Sequence, residues 1–294
     1  MSSIRGVEYR GVPIWQRPQV QALRSRPWQP SAWMEAWRRG ETLRDLLILD
    51  GHAHLGEWPG FFVNDGGAAG MVKIMDRIGM RAALIASNAA MRSDPEYGNQ
   101  LTLRAMRDFP GRFYGYVVAN PYYADDMEAM LNRYLDEPGM VGIKLHPEVH
   151  DDYPLLGPRY LPVWKTATER RVPVLFHTYF AGDTLGDIAH LAEKYPAVPL
   201  LVGHMLQDKS LEAMAELANT FPNVYVDLTL PETFGVTEFF VAALDDIRKI
   251  IFGTDFPWGN CHFRVGAVIC ARLTDEERRK ILGQNLVELL RLEL

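Results

Sequence analysis

The stretch ILDGHAHLGEW, residues 48–58, decides how the rest of the chain is read. An apolar, β-branched run closes on Asp50, and His52 and His54 follow one residue apart. Alternate residues of an extended strand share a face, so the two imidazoles point the same way from the strand's end. A doubly wound nucleotide-binding sheet places a glycine-rich turn directly after its first strand. Here that turn carries histidines instead, which argues against the open sheet.

Outward from this stretch, comparable apolar runs recur as "LLILD", "AALIAS", "FYGYVVAN", "MVGIKLH", "VPVLFH", "PLLVGH", "VYVDL" and "KIIFGTD". They begin near positions 46, 82, 113, 140, 172, 199, 224 and 249. The intervals, roughly 25 to 35 residues, match a strand plus a returning helix. Between them lie amphipathic segments closed by Gly or Pro, among them "EYGNQLTLRAMRDFPG", "ADDMEAMLNRYLDEPG", "GDIAHLAEKYP" and "SLEAMAELANTFP". Near-continuous apolar strands alternating with helices indicate a parallel α/β architecture. Eight such units predict a (β/α)8 TIM barrel over residues 46–294 with an N-terminal extension.

That extension, residues 1–45, is a Trp/Arg-rich arm holding Trp15, Trp28, Trp33 and Trp37 of the 7 tryptophans. Ser31 is a candidate N-cap for a helix "AWMEAWRR". The arm is expected to pack over the barrel; a subunit contact or a substrate lid is the sharper alternative, and a homodimer the favoured assembly.

A hydrophobic fraction of 48% supports a substantial core, and a formal charge of −6 without a basic block speaks against nucleic acid. No apolar stretch reaches the roughly 18 residues of a membrane span, and the N-terminus lacks the pattern of a secretory leader, so a cytoplasmic enzyme with a small-molecule partner is expected. The 2 cysteines, Cys261 and Cys270, are read as unpaired, with Cys270 a small buried apolar residue.

The pattern at His52 and His54 repeats. "IKLHP" ends in His146, "VLFHT" in His177, "LLVGHM" in His204 and "FGTDFPW" in Asp255. Barrels of this kind build their sites at the C-terminal strand ends, and imidazoles with a carboxylate are donors for zinc or a similar divalent ion. Of the other histidines, His150 and His190 are read as solvated, and His262, in "PWGNCHF", as a candidate substrate contact.

With these motifs in order on successive strands, the chain from about residue 46 resembles the amidohydrolase superfamily, specifically its amidohydrolase-2 branch. The resemblance implies one divalent metal, zinc first and manganese second, held by His52, His54, His177 and Asp255. It makes His204 the acid/base group, with Asp255 able to share the proton relay. It also raises a second metal bridged by a carbamylated Lys144, with His177 and His204 as ligands. The simpler reading pairs Lys144 with an interior carboxylate or an anionic substrate, and gives His146 to substrate or metal.

The reaction expected first is hydrolysis, a metal-activated water attacking the carbonyl of an amide, ester or lactone in a small carboxylated or aromatic substrate. Non-oxidative decarboxylation of a carboxylated aromatic or enol acid is the alternative. A non-catalytic binding barrel is the third class, disfavoured because buried imidazoles without a charge to coordinate are costly. Cationic candidates for a substrate carboxylate are Lys144, Arg92 and Arg264, and loop aromatics Trp58, Phe61, Phe62, Tyr179, Phe180, Phe256 and Trp258 suggest a ring-binding pocket.

Overall fold

The structure, a computed structural model, describes residues 14–123, 125–178, 184–206, 210–229 and 235–293. Eight strands, β1 (Ile48–Leu55), β2 (Met80–Ser87), β3 (Phe113–Val118), β4 (Met140–Leu145), β5 (Val174–Phe176), β6 (Leu200–Val202), β7 (Val224–Asp227) and β8 (Ile250–Ile251), run in one sheet in chain order. Every neighbouring pair is parallel. Gly51 N–H donates to Phe252 O at 2.8 Å, and Ala53 bridges Phe256 in parallel. These contacts join the last strand to the first and make the sheet the expected (β/α)8 barrel. Gly51 sits on this seam because an added Cβ would fall 2.8 Å from Ile251 Cγ2 and 3.0 Å from Phe252 O.

The helices begin where sequence signals place them. Asp94 caps helix Pro95–Asp108 by accepting from Tyr97 N at 3.0 Å, with Pro95 opening the first turn. Ser210 accepts from Ala213 N at 3.1 Å at the start of helix Leu211–Thr220. Thr274 and Glu277 form a reciprocal capping box before helix Asp275–Arg279.

Two apolar clusters result. The larger lies between strands and helices. The smaller includes Leu49, Leu84, Tyr116, Leu175, Leu201 and Ile251. By alternation Leu175 shares its face with His177, so this cluster forms a dry floor beneath the strand ends.

The described part of the arm packs against the closing helices Val236–Ala243, Cys261–Ile269 and Asp275–Arg279. Arg17 donates to Ala243 O at 3.1 Å, Arg26 pairs with Glu277 at 2.5 Å, and the Arg279 guanidinium lies 4.7 Å over Trp33. Met34 and Trp37 are buried, on the helix Ala32–Arg38 that Ser31 precedes. Ser31 makes no side-chain cap hydrogen bond. Cys261 is buried and Cys270 half-buried, and both are free. Among the described residues no helix is long and apolar enough to cross a membrane.

Candidate metal centre

β1 presents His52 and His54, and the segment after β8 brings Asp255 to them across the seam. Asp255 adopts φ +62°, a left-handed conformation that turns its side chain back over the barrel mouth, with its N–H donating to His52 O at 2.8 Å. Its Oδ1 lies 2.9 Å from His54 Nε2 and 3.7 Å from His52 Nε2. One donor atom from each of the three residues lies within 4.8 Å of the others.

His52 is held from behind. Its Nδ1–H donates to Asp227 Oδ2 at 2.7 Å, which turns the Nε2 lone pair toward the site. Thr229 Oγ1 donates to the other carboxylate oxygen, Asp227 Oδ1, at 2.6 Å. Lys144, wholly buried, donates from Nζ to His52 Nε2 at 2.7 Å. Burial pushes the Lys144 amine down to about 8, against the opposing pull of Asp255 and Asp227. Burial likewise carries His54 down to about 4, so its ring is neutral at ordinary pH. Burial acts to raise Asp255, but the His54 hydrogen bond and the surrounding imidazoles outweigh it and hold the carboxyl well below its usual range. Beneath them Asp50 is raised to about 7 by burial, although it accepts from His52 N and Thr254 N at 3.0 Å each.

A second group lies alongside. His177 Nε2 is 2.9 Å from Glu148 Oε2, and the His146 and His177 rings stack at 4.0 Å with 13° between planes. His146, Glu148 and His177 each bring one donor atom to within 4.8 Å of the others. His204 links the two groups, its Nε2 2.9 Å from His177 Nδ1 and its ring 5.0 Å from that of His52. It too is left-handed, at φ +57°. Burial pushes His146, His177 and His204 all below the ordinary imidazole value.

The mouth is aromatic. Trp258 stacks on His54 at 4.1 Å and 14°, Trp58 lies 4.3 Å from Trp258, and Phe61 meets Trp258 edge-on at 5.8 Å. The exposed Arg92 places its guanidinium 5.1 Å over Trp58.

Seven of the eight residues singled out from the sequence thus converge: His52, His54, Lys144, His146, His177, His204 and Asp255. His177 Nε2 lies beside Glu148, and its Nδ1 beside His204 Nε2, which joins it to the cluster around His52 and Asp255. Lys144 meets an imidazole where a carboxylate or a substrate was expected. His262 stays outside, its ring stacked on Trp37 of the arm at 4.1 Å on helix Cys261–Ile269. His150, expected in solvent, is buried and donates from Nε2 to Met91 O at 2.8 Å, while His190 is exposed as expected. Arg264 is buried. Tyr179 and Phe180 lie outside the described residues. Asp227, Asp50, Thr229 and Glu148 were not anticipated, although an aspartate closing "VYVDL" at the level of the histidines was a readable signal for the first.

Two imidazole nitrogens and an ionised carboxylate oxygen, all buried, are the borderline donors that a divalent first-row ion takes, and the carboxylate behind His52 completes the fit.

The amidohydrolase family model Amidohydro_2 matches residues 49–292, and the chain belongs to that family. No curated protein matches it by sequence. Among solved structures it is similar to 5-carboxyvanillate decarboxylase from Sphingomonas paucimobilis, at TM-score 0.66 and 13% identity, covering 84% of this chain and 100% of that one. It is also similar to dihydroxybenzoic acid decarboxylase from a Polaromonas species with bound manganese, at TM-score 0.64 and 18% identity over 84% and 97% of the two chains. A third, 5-carboxyvanillate decarboxylase from Novosphingobium aromaticivorans complexed with manganese and a nitrobenzoic acid, gives TM-score 0.65 and 15% identity over 85% and 97%.

Proposed function

We propose that this protein is a metal-dependent, non-oxidative decarboxylase of a carboxylated aromatic acid. One observation carries the reading: an aromatic wall of Trp258, Trp58 and Phe61 rises from the donor set itself, with Trp258 face-on to His54. A flat ring is the shape such a wall accepts. The decarboxylases named among the similar structures, two of them with bound manganese, support it. Hydrolysis, expected first from the sequence, has no comparable feature in its favour.

His52, His54 and Asp255 would hold the divalent ion, manganese or zinc. When bound, it supplies the Lewis acidity that polarises a substrate oxygen. Trp258 and Trp58 would then orient the ring, and Arg92 at the rim would attract its negative charge. As the bond from ring carbon to carboxylate breaks, the electron pair stays on the ring carbon, CO2 departs, and the His204 imidazole supplies the proton that replaces it. Burial lowers His204 well below the ordinary imidazole value, so its ring starts neutral, and the proton it delivers to the ring carbon is one it first takes up from the substrate's own hydroxyl or from water. Asp227 and Thr229 keep His52 oriented throughout.

The test is turnover of a panel of hydroxylated benzoic acids by manganese- or zinc-loaded protein, followed by CO2 release and loss of the carboxylated chromophore, beside a panel of lactones, esters and amides. CO2 release abolished by Asp255→Asn is the expected result. Ester or lactone cleavage with no CO2 from any acid would overturn the proposal in favour of hydrolysis.

A further inference from the structure

The outer end of the aromatic wall is fixed from outside the metal centre, and we infer that His150 is a positioning residue. It anchors the end of helix Asn88–Arg92 and thereby holds the Arg92 guanidinium where an anionic substrate enters. The groups concerned form a column. From rim to donor set, Arg92 lies 5.1 Å over Trp58, Trp58 4.3 Å from Trp258, and Trp258 4.1 Å from His54. Arg92 is the exposed member, and no hydrogen bond or ion pair holds its guanidinium among the described residues. An exposed cation–π contact is weak, so the guanidinium stands where its backbone puts it.

That backbone is the last turn of a five-residue helix, whose final carbonyls have no partner within the helix. Two side chains from neighbouring strand ends serve it. His150, in the turn Pro147–His150 after β4, donates from Nε2 to Met91 O at 2.8 Å, and Tyr123, after β3, donates from its hydroxyl to Ser93 O at 2.9 Å. Of the two, His150 is buried and Tyr123 exposed. The His150 Nδ1 accepts from the buried Tyr160 hydroxyl at 3.4 Å, which leaves the proton on Nε2 and fixes the tautomer that the Met91 bond needs. Burial also holds the ring below the ordinary imidazole value, so it stays neutral. Both nitrogens are satisfied within the protein, which makes this histidine a strut and not a metal donor. Met91 is wholly buried in the floor cluster, against which Trp58 and Val149 pack. Loss of the His150 bond leaves a buried carbonyl unmatched, a cost relieved when the helix end moves outward and carries Arg92 off Trp58. The effect on substrate rests on the decarboxylase reading; the anchoring does not.

The experiment compares the native protein with His150→Leu, which keeps the bulk and removes the donor, and with His150→Gln, whose amide N–H replaces Nε2–H. Steady-state turnover of a hydroxylated benzoic acid is measured on manganese-loaded protein, beside Arg92→Ala and the double variant Arg92→Ala/His150→Leu. A KM raised roughly tenfold in His150→Leu with kcat little changed, and restored in His150→Gln, is the expected result. The double variant should show no further rise over Arg92→Ala, because both changes act on one contact. An unchanged KM in His150→Leu, an equal rise in His150→Gln, or a full further rise in the double variant would overturn the inference. The rate of trypsin cleavage after Arg92 tests the anchor without substrate, with folding checked by circular dichroism. Faster cleavage in His150→Leu than in native protein and His150→Gln supports it, and equal rates in all three overturn it. Where His150→Leu disturbs the fold, Tyr160→Phe loosens the same strut from behind, and the same comparisons decide. Should no benzoic acid be turned over, the decarboxylase reading falls and the cleavage comparison alone decides the anchor.

Discussion

Asp227 shows how a residue that need not touch an ion can govern one. A single carboxylate receives His52 Nδ1, Thr229 Oγ1 and the backbone N–H of His204, so it fixes side chains or backbone from the ends of three strands. Asp227→Asn keeps the volume but loses the charge that sets the His52 tautomer. We expect metal affinity to fall roughly 10- to 100-fold with the barrel intact, as judged by chelator competition alongside circular dichroism. Unchanged affinity would remove orientation as its role. The candidate donors His52, His54 and Asp255 were legible in the sequence because imidazole and carboxylate at a strand end announce themselves. Their supports were not. Asp227 closed its strand at the level of the histidines, but which side chain it would support was not legible, Asp50 looked like an ordinary strand residue, and His150 looked like a loop residue until the fold placed it against Met91. Support depends on which strand ends become neighbours, and pairing across the barrel leaves no local trace in a sequence.

At the scale of elements, strand starts could be read within about two residues because runs of β-branched and aliphatic side chains coincide with burial. Strand ends could not. β5, β6 and β8 pair over only 3, 3 and 2 residues before the backbone leaves the sheet. After β6 and β8 it turns left-handed at His204 and Asp255, non-glycine residues whose conformation sequence gives no reason to expect. The segment after β8 is also packed without slack. A Cβ at Gly253 would sit 2.2 Å from Thr229 Oγ1, 2.5 Å from Asp227 Oδ1 and 2.8 Å from His52 Cβ. Gly253→Ala is therefore expected to destabilise the protein by about 1–3 kcal/mol and to weaken metal binding, because the neighbours that must yield are the ones that orient His52. At Gly67, before helix Ala68–Ile78, an added Cβ meets nothing within 4 Å, and φ is −76°. Gly67→Ala meets no such clash and should cost no more than the weaker N-cap preference of alanine, about 0.5 kcal/mol. Urea titrations of both variants make the comparison, and equal losses would contradict the packing argument.

For the whole molecule, burying so many imidazoles sets the response to pH. His54, His146, His150, His177 and His204 are all lowered by burial from the ordinary 6.5, His54 to about 4. Between those two values the unfolded chain binds more protons than the folded one, so stability present above pH 6.5 is lost as pH falls. Asp50, raised to about 7, acts in the opposite sense, favouring the folded state as pH falls, but it is one group against five. The metal-free protein should unfold at lower urea at pH 5 than at pH 7; a higher midpoint at pH 5 would contradict this. The arm is the other global determinant. It buries Ile14, Met34, Trp37 and Leu43, and its removal as residues 1–45 is expected to cost on the order of 5 kcal/mol, read as a lower thermal midpoint. An unaltered midpoint would show that the arm is dispensable to the barrel. The seam between β8 and β1 has a consequence for biosynthesis. His54 and Asp255 stand 201 positions apart in the chain yet must meet to complete one donor set. A nascent polypeptide cannot assemble that set until its final strand has left the ribosome, so any product interrupted before Asp255 lacks a donor of the metal centre.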